Sequence, residues 1–388
     1  MHSLLTILFV ISVLAVLQTY VFYPLLILIL SNDKKRSEKM YGREEELPEV
    51  CLLMAAYNEE KVIDEKIRTV MESDYPRQKI RFLIGSDAST DRTNEIIKKW
   101  NEKFSSVQLV EFKGRTGKSG IINSLAEQAK EEVFILTDAN VMFQKDTIFN
   151  LTRHFKDPEI AQVCANIVKV SDSDKEIAKA EKSYIAIENK IKNGESVLFG
   201  AVMGAEGACY AIRKESFCPV PPKFFMDDFY ITMNVIEQGR RIYFDTEAKC
   251  LEDVPDKSSE EFKRKVRISI GNYQNLFRYK NLLWPPWKGS AFAFWSHKVL
   301  RWLTPFFLIF AFVSSVLLSF YDPFYIVLSI LQLCGICSPF LNLLFRSSIA
   351  PLRYIAHFYM MNLALLFGFI TFANGVESNV WQPTQRNV

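Results

Sequence analysis

The chain has 388 residues, a formal net charge of +3 and 23% charged residues, which leaves room for one globular domain of roughly 250 residues beside membrane segments. This near-neutral balance excludes a polyelectrolyte tail and gives no electrostatic footing for nucleic-acid binding. Cys51, Cys164, Cys209, Cys218 and Cys250 stand at irregular spacings, as reduced thiols do, and Cys334 and Cys337 form a C-x-x-C inside an apolar run, where they read as packing residues of a membrane helix.

Residues Leu4 to Leu30 are apolar almost throughout, enough to span a bilayer and too long for a signal-peptide core. The segment is expected to be a retained membrane helix. The basic run Lys34–Lys35–Arg36 comes directly after it, so the next segment is expected on the cytoplasmic side. This run and the acidic run Glu44–Glu45–Glu46 read as a solvated linker.

From Glu49 onward short apolar runs alternate with helical stretches. Val50–Ala56, Ile80–Gly85, Val107–Phe112 and Val133–Thr137 are expected to be strands, with helices over Glu59–Glu72, Asp91–Lys103 and Lys118–Ala129. That alternation predicts an α/β domain with a mostly parallel sheet, whose ligands bind beyond the carboxyl ends of the strands. The segment after each strand is polar: Tyr57–Asn58–Glu59–Glu60, then Asp87–Ala88–Ser89–Thr90–Asp91, then Gly114–Arg115–Thr116–Gly117–Lys118–Ser119, then Asp138–Ala139–Asn140. Each alone could be a helix cap or turn. Four in a row at one edge predict a single ligand cleft.

The residue types suggest the chemistry. Asp138 and Asn140 offer hard oxygens suited to a divalent cation near a ribose or phosphate. Asp87 is suited to accept an N–H from a base edge, and Lys118 to act as a point charge on a diphosphate. Gly117–Lys118–Ser119 is not a phosphate-binding P-loop, because Phe112 stands where the first glycine is required. Asp227–Asp228 could complement a helix N-terminus. His2, His154, His297 and His357 do not cluster in sequence and are expected at surfaces or interfaces; no zinc set or Ser/His/Asp triad can be drawn.

Near the end of the chain Trp284, Trp287, Trp295 and Trp302 are interleaved with Lys288, Lys298 and Arg301, a pattern expected of one or two helices in the headgroup region. Apolar runs at about Leu303–Phe320, Phe324–Phe345 and Ile355–Ala373 are expected to be three further spans. The link at Tyr321–Asp322–Pro323 lacks Lys and Arg, and the next carries Arg346 and Arg353, which agrees with a cytosolic globular domain at a plasma or inner membrane. The expected layout is a helix at 1–31, a linker at 32–48, the globular domain at 49–282, interfacial helices at 283–302, three spans at 303–376 and a tail at 377–388.

The ordered set Ala55–Ala56–Tyr57–Asn58–Glu59–Glu60, Asp87 with Asp91, Gly117–Lys118 with Asn123, Asp138–Ala139–Asn140, Gly204–Ala205–Glu206–Gly207–Ala208 and Met226–Asp227–Asp228–Phe229 resembles the family 2 inverting glycosyltransferases. One leading and three trailing spans resemble their membrane-embedded branch, related to hyaluronan, chitin and cellulose synthases. The resemblance implies a GT-A fold, Rossmann-like, with transmembrane and interfacial helices. It implies a nucleotide-sugar donor, a UDP-sugar being favoured, and Mg²⁺ or Mn²⁺ held at Asp138 and Asn140, where Asn140 replaces the second acid of the family's D-x-D. It implies Ala56, Tyr57, Glu59, Asp87, Lys118 and Asp138 around the nucleotide-sugar, Glu206 and Gly207 at the acceptor, and Asp228 as general base beside Asp227.

Arg264–Lys265–Val266–Arg267–Ile268 corresponds to the Q-x-x-R-W of processive members. It keeps Arg267 for the diphosphate but lacks the Gln and Trp. Single transfer or short extension onto a lipid-linked or glycan acceptor at the membrane surface is therefore the expected activity, in cell-surface polysaccharide or glycolipid synthesis. A processive synthase and a catalytically inactive nucleotide-sugar-binding subunit are the alternatives.

Overall fold

The computed structural model describes residues 1–32, 34, 39–170, 176–253, 258–345 and 350–376. Lys35, Arg36 and Arg346, on which part of the orientation argument rests, and the 377–388 tail lie outside the described residues. The chain forms two compact units, one of Met1–Leu26 with Lys257–Val376 and one built from Ile27–Asp256.

The second unit is organised by an eight-stranded sheet of order β3-β2-β1-β4-β7-β6-β8-β5. Its strands are β1 (Val50–Ala56), β2 (Ile80–Ser86), β3 (Val107–Glu111), β4 (Val133–Thr137), β5 (Val141–Phe143), β6 (Ile160–Val170), β7 (Cys209–Arg213) and β8 (Arg241–Asp253). β1 pairs in parallel with β2 and β4, and β2 with β3, which gives the half of the sheet expected from the alternating pattern. β7 runs antiparallel between β4 and β6, so the fold is a mixed, mostly parallel sheet. Near-continuous burial of β1, β2 and β4 explains their unbroken apolar runs: helices cover both faces. The Ile63–Met71 helix buries Ile63, Ile67 and Val70 as a stripe at helical spacing.

Two of the histidines expected at surfaces or interfaces are buried. His154 is buried and its Nε2 lies 2.7 Å from Asp245 Oδ2, which Arg153 also reaches at 2.8 Å. Burial pushes the Asp245 carboxyl up, but His154 and Arg153 outweigh it and hold the group below its ordinary value. His297, in the first unit, is fully buried.

Four helices of the first unit and its boundary are long and apolar enough to cross a membrane: His2–Ser31, Gly289–Leu318, Phe324–Asn342 and Pro351–Ala373. Their surfaces carry large apolar side chains that water would not tolerate in such density, among them Leu4, Ile11, Val313, Phe340 and Phe367. The 283–302 segment expected to lie at the interface runs into the second of these helices. The helix runs unbroken from Gly289 to Leu318, and Trp302 is built into it, with its carbonyl accepting the Tyr273 hydroxyl at 2.8 Å. Of the four tryptophans in this segment, Trp284 and Trp287 stand exposed, at 72% and 79%, on the turn before that helix. Cys334 and Cys337, three residues apart on one helical face, point outward from the Phe324–Phe345 helix instead of packing against its neighbours.

Candidate active site

β1, β2 and β4 end side by side at Ala56, Ser86 and Thr137, and the polar segments beyond them meet. Part of that polarity is spent locally. Asn58 Oδ1 accepts the Thr90 N–H at 2.8 Å, the Glu59 N–H donates to Thr93 Oγ1 at 2.8 Å, and the Glu60 N–H donates to Asp91 Oδ2 at 3.1 Å. These bonds tie the first two strand-end turns to each other. Asn58, Ala88 and Met226 hold left-handed backbones with φ of 53°, 57° and 58°, an uncommon and costly conformation that concentrates at functional sites.

Asp87 is buried and heavily committed. Its oxygens accept the Thr116 N–H at 2.5 Å, the Gly117 N–H at 3.2 Å and Arg115 Nε at 3.0 Å. The Arg115 guanidinium in turn lies 3.4 Å above the Tyr57 ring. Asp87 thus anchors the 114–117 loop, and through Arg115 it also braces the Tyr57 ring. Gly117, at φ 82°, lets the loop turn sharply into the Lys118–Gln128 helix.

Lys118, first in that helix, collects the acids. Its Nζ lies 2.7 Å from Asp138 Oδ1 and 3.9 Å from Asp227 Oδ2. Burial alone would lower its pKa, yet the Asp138, Asp227 and Asp228 carboxylates outweigh that and raise it. Asp138 ends β4 in a tight turn: its N–H donates to the Ala208 carbonyl at 3.1 Å and the Val141 N–H returns to its own carbonyl at 3.3 Å. Asn140 sits half-buried in the same turn.

Asp227 and Asp228 open the Asp227–Glu237 helix. Burial and the adjacent Asp227 charge push the Asp228 carboxyl up to about 7, against the pull of Lys118 and of the Phe229 N–H, which donates to Asp228 Oδ1 at 2.8 Å. Gly207 explains itself here. A Cβ on it would stand 2.8 Å from Asp228 Oδ2, so only glycine lets the 204–208 loop lie against that carboxylate. Thr232 joins loop and helix: its hydroxyl donates to the Asp228 carbonyl at 2.7 Å and accepts the Ala205 N–H at 3.2 Å. The Glu206 carboxylate pairs with the buried ammonium of Lys192.

Ion pairs thereby join Lys118 to Asp138 and Asp227, with Asp228 next in the chain, Arg115 joins Tyr57 to Asp87, and Glu206 and Gly207 stand on the adjoining loop. Ala56 ends β1, and buried Glu59 lies two residues beyond Tyr57. Arg267 belongs to the other unit, on the Ser258–Arg278 helix, where Ser269 bonds to the Leu365 carbonyl at 2.8 Å. Sequence reasoning placed Arg115 at the strand edge without giving it a role, and missed Lys192, Thr232 and Lys66. For Lys66 a signal existed: it falls on the apolar stripe of its helix, between Ile63 and Ile67.

Among the described residues no three His, Cys, Asp or Glu side chains form a metal site by themselves. The donor set still fits a hard cation. Asp138 and Asn140 contribute oxygens, and a Mg²⁺-type ion is ordinarily held by one or two protein oxygens with phosphates and water supplying the rest.

Comparison with known proteins gives these likenesses. The description Glycosyl transferase family 2 matches residues 51–218. A poly-beta-1,6-N-acetyl-D-glucosamine synthase of Staphylococcus aureus is 25% identical over 239 residues, 60% of this chain and 57% of that protein. The Staphylococcus epidermidis synthase of the same name is 26% identical over 251 residues, 63% of this chain and 59% of that protein. The chain therefore spans less than two thirds of the length of these relatives. A mannosyltransferase from Pyrobaculum calidifontis, solved with GDP-Man and Mn²⁺, superposes with a TM-score of 0.69 over 94% of this chain and 99% of that one, at 21% identity, a likeness of fold.

Proposed function

We propose, from the match of residues 51–218 to the description Glycosyl transferase family 2, that the chain moves a sugar from a nucleotide-sugar to a hydroxyl of a lipid-linked or glycan acceptor, with inversion, at a membrane surface. The observation that carries this reading is the Lys118 ammonium among Asp138, Asp227 and Asp228 at the carboxyl edge of the parallel strands. One cation among three acids is a site with surplus negative charge. It suits a hard metal on one side and a proton acceptor on the other.

In this account Tyr57 and Arg115 form the nucleoside surface, held in place by Asp87. Asp138 and Asn140 would hold Mg²⁺ or Mn²⁺, which when bound would neutralise charge on the diphosphate. Lys118 adds a second positive charge there, and Arg267 is assigned to the leaving diphosphate as the family resemblance implies. Asp228 takes the acceptor proton. A base titrating near neutrality is matched to that task, whereas an ordinary aspartate would be too weak. A one-step attack at the anomeric carbon turns an α-linked donor into a β-linked product.

The pH dependence has a definite sign. The base works deprotonated, so kcat/KM rises about tenfold per unit below pH 7 and levels off above it. A rate that is flat from pH 5 to 8 would remove Asp228 from the proton transfer. Gly207→Ala forces its Cβ against the Asp228 carboxylate and is expected to lower kcat by about 10²-fold, with donor KM little changed, in steady-state assays.

A second reading, processive synthesis, is favoured by the likeness to poly-beta-1,6-N-acetyl-D-glucosamine synthases. Arg264 and Ile268, where processive members have Gln and Trp, favour single transfer or short extension. Sizing the product on a gel separates the two. The reading as a whole is tested with purified protein in nanodiscs, a panel of nucleotide-sugars and membrane lipid extract as acceptor, reading released nucleoside diphosphate. Release from one donor, dependent on Mg²⁺ or Mn²⁺ and lost in EDTA, supports it. Measurable donor binding without release from any donor supports the inactive-subunit alternative instead.

A further inference from the structure

Lys66 lies on the Ile63–Met71 helix with 0% exposure, on the face that also buries Ile63, Ile67 and Val70. A buried ammonium is costly, and an apolar residue there would complete the stripe. What Lys66 does contact is specific. Its Nζ donates to Thr137 Oγ1 at 2.9 Å and to the Val141 carbonyl at 2.5 Å, and lies 3.7 Å from the centre of the Phe143 ring. Neither acceptor carries a charge. Thr137 and Val141 are the two ends of the turn that displays Asp138 and Asn140.

The contact also reaches the acceptor side. The Thr137 hydroxyl, accepting from Lys66, donates to the Ala208 carbonyl at 3.1 Å, the same carbonyl that receives the Asp138 N–H. Ala208 adjoins Gly207, against which the Asp228 carboxylate packs. A single buried cation therefore clamps both ends of the donor turn and joins that turn to the loop beside the base.

We propose that Lys66 is a positioning residue: it holds the 137–141 turn so that the Asp138 and Asn140 oxygens meet the diphosphate and its cation, and it couples that turn to the 204–208 loop. The inference rests on the donor-site reading above. It explains why an ammonium is retained where a hydrocarbon would pack, since outer-shell partners of metal-binding oxygens set their orientation and tune affinity.

The test is Lys66→Met, which keeps the linear stem and removes the charge, with Thr137→Val as a milder companion. Binding of UDP and of GDP is measured by calorimetry with and without Mn²⁺, beside thermal unfolding of each protein. The expected result is an unfolding temperature equal to or above that of the unaltered chain, with Mn²⁺-dependent nucleotide affinity reduced about 10–100-fold. Thr137→Val should lower affinity in the same direction, and the double variant should bind no worse than Lys66→Met, because both act through one chain of hydrogen bonds. A Lys66→Met protein that melts earlier yet binds as before overturns the proposal. If Lys66→Met does not fold, unchanged affinity in Thr137→Val overturns it. If the unaltered chain binds neither nucleotide, the donor-site reading itself fails, a separate outcome.

Discussion

Replacing Asp228 by Asn is expected to lower sugar transfer by about 10²–10⁴-fold while leaving nucleoside diphosphate binding close to that of the unaltered protein. The substitution is nearly isosteric. The Asn side-chain oxygen can still accept the Phe229 N–H that Asp228 Oδ1 accepts at 2.8 Å, and the Thr232 hydroxyl still reaches the backbone carbonyl at 2.7 Å. The helix start and the 204–208 loop therefore keep their geometry. What is lost is the capacity to take a proton at neutral pH. Removing a carboxylate that burial already disfavours in its charged form should not weaken the fold. Transfer rate and donor affinity, measured on one preparation, check this. Near-normal turnover in the variant would remove Asp228 from the role of base.

Lys118→Met is expected to lower kcat/KM by about 10²–10³-fold, with the donor KM raised as well. Its ammonium sits 2.7 Å from Asp138 and 3.9 Å from Asp227. Without it three acids face one another and the incoming diphosphate with no ammonium among them. A second effect separates this role from a general loss of structure. Lys118 pulls the Asp228 pKa down, so its removal moves the inflection of the pH–rate profile upward from about 7. A lower rate with an unmoved inflection would mean that Lys118 acts on the donor alone, and an unchanged donor KM would remove it from the donor site.

Much of this was legible in the sequence because it is local. Val50–Ala56 and Val133–Thr137 are buried on both faces and form strands with the bounds their apolar runs give. The residues after each strand are fixed directly by those bounds. Asp227 and Asp228 were readable as a pair because they are adjacent. What escaped is what distance in the chain hides. Lys66 meets Thr137 across 71 positions, and Gln162 meets Thr232 across 70. Arg115 was in view, but its stacking on Tyr57 depends on two loops from different strand ends.

Asn58, Ser89, Thr90 and Asp91 show the opposite error of emphasis. They stand at the expected edge, yet their hydrogen bonds mainly hold the loops together. At 289–302 tryptophan and lysine suit an interfacial helix and the first turns of a span alike, and the packing of Tyr273 against the Trp302 carbonyl is invisible to hydropathy.

The most direct test of the central claim is the anomeric configuration of the product made by the purified chain from an α-linked nucleotide-sugar, read by NMR coupling at the anomeric proton. Direct displacement assisted by Asp228 predicts a β-linked product. An α-linked product would contradict it, since retention requires a second step for which Asp228 as a simple base makes no provision.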